Sequence, residues 1–244
     1  MATIAAQSAA QSAAQTTLPY RTALIVGAGP GISASVARGL RAAGLQVGLA
    51  ARNADKLAPL AAQIGAKVFA VDASDPAAVA QLFTEAEAQL GEPDVIIYNA
   101  STRARGPLAD LDPEDVRNAL GVSAFGGFLV TQQAARRMAV RGRGAILFTG
   151  ASASVKGFAQ SAPFAMGKFA LRGLAQSAAR ELGPKGIHVA HFLIDGAVRS
   201  ATRPDSGDRT LDPDAIAQAY LDVLRQPRSA WSFEVDLRPW GETF

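Results

Sequence analysis

The chain has 244 residues, of which 49% are hydrophobic and 18% charged, and it contains no cysteine. That length buries one substantial core, while the missing cysteines exclude disulfides, thiolate nucleophiles and thiolate-bound zinc; the two histidines, His188 and His191, do not make a metal site by themselves. The net charge of +3 and a pI near 9.5 come from scattered arginines not interleaved with aromatics, which argues against a nucleic-acid surface and for an anionic small-molecule partner.

Residues 1–19 form an Ala/Gln/Ser tract without the basic start and apolar centre of a secretory signal, and read as a disordered tail; a helical or transit-peptide role is the alternative. No apolar run reaches the roughly 18–20 residues of a membrane span, so a cytoplasmic protein without membrane partners is expected. From residue 20 onward strands and helices alternate. Strands are expected at 22–26, 46–51, 67–71, 94–98, 144–149, 187–194 and 232–235, and helices at 32–43, 54–64, 76–90, 113–141, 163–182 and 213–225. Strands that are nearly all apolar and separated by helices imply one parallel sheet covered on both faces, within a single domain spanning 20–244.

In such a sheet the ligand lies beyond the carboxyl ends of the strands. The first strand ends abruptly at Gly27-Ala-Gly29-Pro30-Gly31, followed by Ile32 and a helix, so that the amides of Gly27, Gly29 and Gly31 are expected to face a pyrophosphate at the helix N-terminus. A tight turn without a ligand would use the same glycines. The second strand ends in Ala51-Arg52-Asn53, where a free ribose 2′-hydroxyl would ordinarily meet an acid. Arg52 instead suits a 2′-phosphate, which favours NADP(H) over NAD(H), although a solvated arginine would look the same. Asp72, followed by Ala73, ends the third strand and either accepts from an adenine amine or caps the helix that begins at Pro76.

With these residues in hand, the stretch from about Arg21 to Ser200 resembles the short-chain dehydrogenase/reductase family. The family's Gly-x-x-x-Gly-x-Gly appears as Gly27-Ala-Gly-Pro-Gly31-Ile32-Ser33, its Asn-Asn-Ala-Gly as Tyr98-Asn99-Ala100-Ser101, and its central helix as Lys168 with the run 169–174 and the segment 181–189. The resemblance implies a doubly wound Rossmann fold, a seven-stranded parallel sheet in the order 3-2-1-4-5-6-7 with helices on both faces, and a homodimer or homotetramer. Small residues at Gly167, Ala170 and Gly173 would allow the long helix to meet a second subunit closely, or serve ordinary packing.

The catalytic pattern of that family is altered here. Its Tyr-x-x-x-Lys reads Phe164-Ala-Met-Gly-Lys168, so the proton-exchanging phenol is a benzene ring; its Ser falls at Ala151, with Ser152 adjacent and Ser154 close; its Asn falls at Ser123. Lys168 alone of the four is retained, and by resemblance it holds the nicotinamide ribose, whereas a lysine in mid-helix is ordinarily a solvated cation. The Pro-Gly-x-Val-x-Thr that contacts the nicotinamide carboxamide appears as Asp195-Gly196-Ala-Val198-Arg-Ser200, followed by a polar, turn-rich lid at about 199–212. Phe158, Phe164 and Phe192 suggest a hydrophobic substrate, or core packing. Three readings follow: a carbonyl or alcohol oxidoreductase with a substitute proton donor such as Ser152, Ser161 or a water relayed by Lys168; a reductase of conjugated double bonds, with Ser161 seven residues before the lysine; or an NADP(H)-binding protein with a regulatory or assembly role.

Overall fold

A computed structural model describes residues 18–205 and 207–242. Seven parallel strands, β1 (Thr22–Val26), β2 (Gln46–Ala51), β3 (Lys67–Ala70), β4 (Val95–Tyr98), β5 (Gly144–Thr149), β6 (Ile187–Ile194) and β7 (Glu234–Leu237), form one sheet in the order β3-β2-β1-β4-β5-β6-β7. Strict alternation along the strands feeds two cores. Ala23 and Ile25 of β1, Leu147 of β5 and Phe192 of β6 face one side, covered by α1 (Ile32–Ala42), α2 (Ala58–Ile64) and α7 (Pro213–Arg225). Leu24 and Val26, Phe148 and Val189 face the other, covered by α3 (Pro76–Leu90), α5 (Gly126–Arg141) and α6 (Ala162–Leu182). Side chains such as Phe148, wholly buried, each contribute about 1.5–3 kcal/mol of transfer free energy.

The expected doubly wound order is thus the observed one, and four departures from the expected boundaries have local causes. Leu18 is 8% exposed and joins the core, so the ordered chain begins before residue 20; residues 1–17, the rest of the expected tail, lie outside the described residues. The helix expected at 54–64 opens as a 3-10 turn (Ala54–Leu57), because Pro59 has no amide to continue an α-helical ladder through Asp55. The helix expected at 113–141 is three segments, α4 (Pro113–Leu120), a π-helical turn (Gly121–Phe125) and α5. Tyr98 at the end of β4 donates its hydroxyl to the Val122 carbonyl, and a Cβ on Gly126 would lie 2.5 Å from that hydroxyl. A side chain inserted in the helical ladder is a recognised cause of such a break. Finally, β7 starts two residues later than expected, since Ser232 is bound elsewhere: its carbonyl meets His188 Nε2 at 2.9 Å and its amide donates to Gln226 Oε1 at 2.7 Å.

No helix among the described residues is long and apolar enough to cross a membrane. The carboxyl ends of β1 to β6 open on one edge of the sheet, where a cleft forms.

Candidate active site

At the nucleotide end, a cavity of about 330 Å³ opens over β1 to β4 and is bordered by Gly27, Arg52, Asp72, Ala73, Ala100 and Ser101. Gly27 adopts φ +87°, and a Cβ there would lie 2.2 Å from the Ala100 amide nitrogen, so only glycine lets these two loops cross. Asn99 locks the crossing by donating its side-chain amide to the Gly27 carbonyl at 2.9 Å. The amides of the glycine loop are distributed differently from the expectation. Those of Gly27 and Ala28 donate to the Ala50 carbonyl at 2.9 and 3.0 Å, and that of Gly29 donates to Ser33 Oγ at 2.9 Å. Ser33, standing where relatives carry a third glycine, donates back to the Gly29 carbonyl at 3.2 Å. Among the described residues, nothing accepts from the amides of Gly31, Ile32 and Ser33, which leaves these three at the N-terminus of α1 free to donate to a pyrophosphate. Pro30 has no amide and shapes the turn.

The cradle suits a dinucleotide on its own geometry, because a Cβ at Gly29 or Gly31 would meet nothing within 4 Å. Arg52 is exposed at the rim. Asp72 accepts from the Ser74 hydroxyl at 2.6 Å and the Ser74 amide at 2.9 Å; these bonds, reinforced by the nearby Arg52 charge, hold its carboxyl below the usual range. Of its two expected roles, capping falls away: Asp75 caps α3, accepting from the Ala77 amide at 2.8 Å.

At the reaction centre, Lys168 is 3% exposed, and its ammonium donates to the Thr149 carbonyl at 2.7 Å. Thr149 is itself braced, its hydroxyl 2.8 Å from that of Tyr220, which stacks on Phe192. Burial, assisted by the Arg103 charge, pushes the Lys168 ammonium pKa down to about 8. The surface-cation alternative therefore fails. Lys168 borders a chamber of about 260 Å³ shared with Ile32, Asn99, Phe164, Gly196 and Val198. The Phe164 ring is 7% exposed, with its centroid 5.8 Å from Lys168 Nζ. A second chamber of about 350 Å³ lies outward, bordered by Ala151, Ser152, Phe158, Ser161 and Phe164.

Other expected site residues are deployed otherwise. Ser123 is wholly buried, pressed against α6 where a Cβ on Gly167 would come 2.7 Å from its own Cβ, and its hydroxyl accepts a long 3.4 Å bond from the Thr102 amide; it braces the π turn and does not face the chambers. Ser154 is taken up locally, its hydroxyl accepting from the Ala151 amide at 3.1 Å. Ser200 exchanges backbone bonds with Arg203 at 2.9 and 3.0 Å, and its hydroxyl lies 3.2 Å from that of Thr202. The segment expected to form a lid is tied at its stem, where the Arg199 amide donates to the Leu211 carbonyl at 2.9 Å and Arg199 pairs with Asp212. Phe192 belongs to the core and not to a substrate pocket.

Asp195 explains how the loop after β6 manages without its usual proline. Its amide donates to the Leu237 carbonyl at 2.8 Å, a bond proline cannot make, and its carboxylate faces Lys156 at 3.7 Å and Arg238 at 3.5 Å. Both histidines are structural. His188 stacks on Trp231, and His191 meets Glu234 Oε2 at 3.0 Å while Arg172 grips the same carboxylate with two 2.7 Å bonds. Burial pushes the His191 imidazolium pKa down to about 4 and keeps the ring neutral.

What the sequence reading missed is a set of guanidinium groups. Arg103 lies over the Phe164 ring, 4.1 Å from its centroid. Arg105 borders the outer chamber with it, and Arg203 borders the inner one. The available signal was the alternation Ser101-Thr-Arg103-Ala-Arg105 directly after β4, at the carboxyl edge of the sheet.

Comparison with known proteins agrees with this geometry. A family model described as short chain dehydrogenase matches residues 21–208. An uncharacterized oxidoreductase of Staphylococcus aureus (strain N315) is 30% identical over 233 residues, covering 92% of this chain and 99% of that protein. The crystal structure of a short-chain dehydrogenase from Rhodopseudomonas palustris is 36% identical, covers 90% of this chain and 99% of its own, and superposes with a TM-score of 0.79. A metagenomic short-chain oxidoreductase solved in complex with NADP is 29% identical, with coverages of 90% and 97% and a TM-score of 0.80.

Proposed function

Because the chain belongs to the short-chain dehydrogenase/reductase family, we propose that it is an oxidoreductase that uses NADP(H) in preference to NAD(H) and interconverts a carbonyl with an alcohol, despite the benzene ring at the phenol position. The observation that carries this reading is Lys168, a buried ammonium fixed by the Thr149 carbonyl and bordering a chamber that shares Asn99 and Ser101 with the nucleotide cradle. A buried cation of this kind is costly unless it serves a ligand.

Gly31, Ile32 and Ser33 would hold the pyrophosphate, Arg52 the 2′-phosphate, Asp72 the adenine, and Lys168 the nicotinamide ribose. A nicotinamide held there would supply or accept the hydride. In reduction, the carbonyl π bond opens as hydride reaches carbon, and the oxygen requires a proton that Phe164 does not have. Lys168, with a pKa of about 8, carries that proton at neutral pH and delivers it through a bridging water, while Ser152 at the chamber wall orients the substrate oxygen. The partner proposed on the opposite face is a second copy of the chain, seated where Phe128, Ala135, Leu174 and Ala178 line an apolar groove between α5 and α6.

Fluorescence titration with NADPH and NADH, followed by single-turnover hydride transfer to ketones, aldehydes and enones, tests the reading. The expected result is tighter binding of NADPH and slow carbonyl reduction, raised by about 10²–10⁴-fold in the double variant Phe164→Tyr with Ala151→Ser. Binding of NADPH without hydride transfer by either protein would replace it with a cofactor-binding role.

A further inference from the structure

We propose that the outer chamber is an anion seat and that the substrate is an acid, carrying a carboxylate or phosphate that Arg103 and Arg105 grip while its apolar body lies against Phe158 and Phe164. This inference rests on the oxidoreductase reading for what happens to the substrate, but not for what binds.

The chamber of about 350 Å³ is bordered by two guanidinium groups and by no acidic residue; its other polar groups are the neutral Ser152, Gln160 and Ser161. Among the described residues, no carboxylate lies within 4.0 Å of Arg103, Arg105 or Arg203, although arginines elsewhere in the protein, such as Arg137, Arg172 and Arg199, are paired. Three cations facing one cleft repel each other: Arg105 and Arg203, after burial, hold the Arg103 pKa below the usual guanidinium range. Such a cluster is unfavourable in the empty protein and becomes favourable with an anion between the forks.

The arginines are also positioned. The Phe164 ring holds the Arg103 guanidinium carbon 4.1 Å from its centroid, at the border of the chamber. The arginine loop is tied across the mouth by the Gly106 amide, which donates to the Gln160 carbonyl at 3.3 Å. Gln160 makes that bond from a left-handed conformation, φ +59°, one of two non-glycine residues with positive φ among those described. Strain of this kind persists where surrounding structure imposes it, typically beside a binding site. The competing occupant is the cofactor itself. Arg203 and Arg103 border the inner chamber, which a bound cofactor would also enter, but Arg105 borders only the outer one. Arg105 therefore separates the two cases.

The test is calorimetric titration of the NADPH-saturated protein with benzoylformate, with its neutral methyl ester and with phenyl phosphate. Benzoylformate or phenyl phosphate is expected to bind about tenfold or more tighter than the ester, the better of the two naming the head group, and Arg105→Gln is expected to erase that advantage while NADPH affinity stays within about twofold. Arg103→Lys, which keeps the charge but loses the fork, is expected to weaken the acid and leave the ester unchanged. The proposal is overturned if the ester binds as well as both anions, or if Arg105→Gln weakens NADPH and not the acids. Acid binding without hydride transfer would sustain the anion seat and remove the oxidoreductase reading; hydride transfer to esters as readily as to acids would do the reverse.

Discussion

At the nucleotide end of the cleft the groups on offer are mostly backbone: the Gly27 crossing under Ala100, the free amides of Gly31, Ile32 and Ser33, and the Asn99 bond to the Gly27 carbonyl. At the substrate end they are side chains, Phe164, Ser152, Arg103 and Arg105, set on loops that meet around a chamber. A backbone cradle depends on how strands and turns cross, so it tolerates the exchange of a third glycine for Ser33, which folds back on the loop it replaced. A side-chain site has no such tolerance. A phenyl in place of a phenol has no proton to give, and in the proposed function that proton falls to Lys168.

The sharpest way to break this contrast is at the crossing. Gly27→Val forces a Cβ into the Ala100 backbone at positive φ, and the expected result is a loss of about 2–4 kcal/mol of stability with NADPH binding abolished, read by thermal melting and fluorescence titration; retained binding would mean that the cradle is not the cofactor site. Next in size is Lys168→Met, for which reduction is expected to slow by about 10²–10⁴-fold. The sign of its pH dependence is definite. Wild-type reduction should fall as pH rises through about 8, where the ammonium loses its proton, and oxidation should rise. Stability runs separately: the folded pKa lies below the ordinary lysine value of 10.5, so the buried charge destabilises the fold below about pH 8 and the penalty fades between 8 and 10.5. Lys168→Met is accordingly expected to melt higher than wild type at neutral pH while turning over less. A structural lysine would show neither that crossing of effects nor the rate profile. The smallest effect is at the rim, where Arg52→Gln should weaken NADPH by about 10–100-fold and leave NADH unchanged. Equal losses for both cofactors would remove the assigned contact.

How far the sequence could be read follows the same divide. The strands β1, β2, β5 and β6 were legible to the residue because they are continuous apolar runs stopped by glycine or polar turns. β7 was not, being an edge strand, EVDL, whose half-exposed pattern does not announce where pairing begins. The break at Gly121–Phe125 was invisible for another reason: its cause is Tyr98, more than twenty residues away in the chain. In the site, Lys168 and the glycine turn were found by spacing. The capture of the Gly29 amide by Ser33 and the brace of Ser123 against Gly167 depend on which way a hydroxyl turns, which spacing does not encode. Arg103 and Arg105 escaped notice because a loop has no period, and their meaning arises only when that loop folds over Phe164.

The corner at Asp195 carries one more consequence. Where relatives stiffen this turn with a pyrrolidine ring, a covalent restraint indifferent to its surroundings, this protein holds it through a ladder bond and two opposite charges, one of them on a lysine that is 42% exposed. Coulombic restraint weakens in electrolyte, so this corner, beneath the position proposed for the nicotinamide, has a rigidity set partly by the medium. Ionic strength, inert toward a proline hinge, here becomes a dial on how firmly the reacting pair is seated.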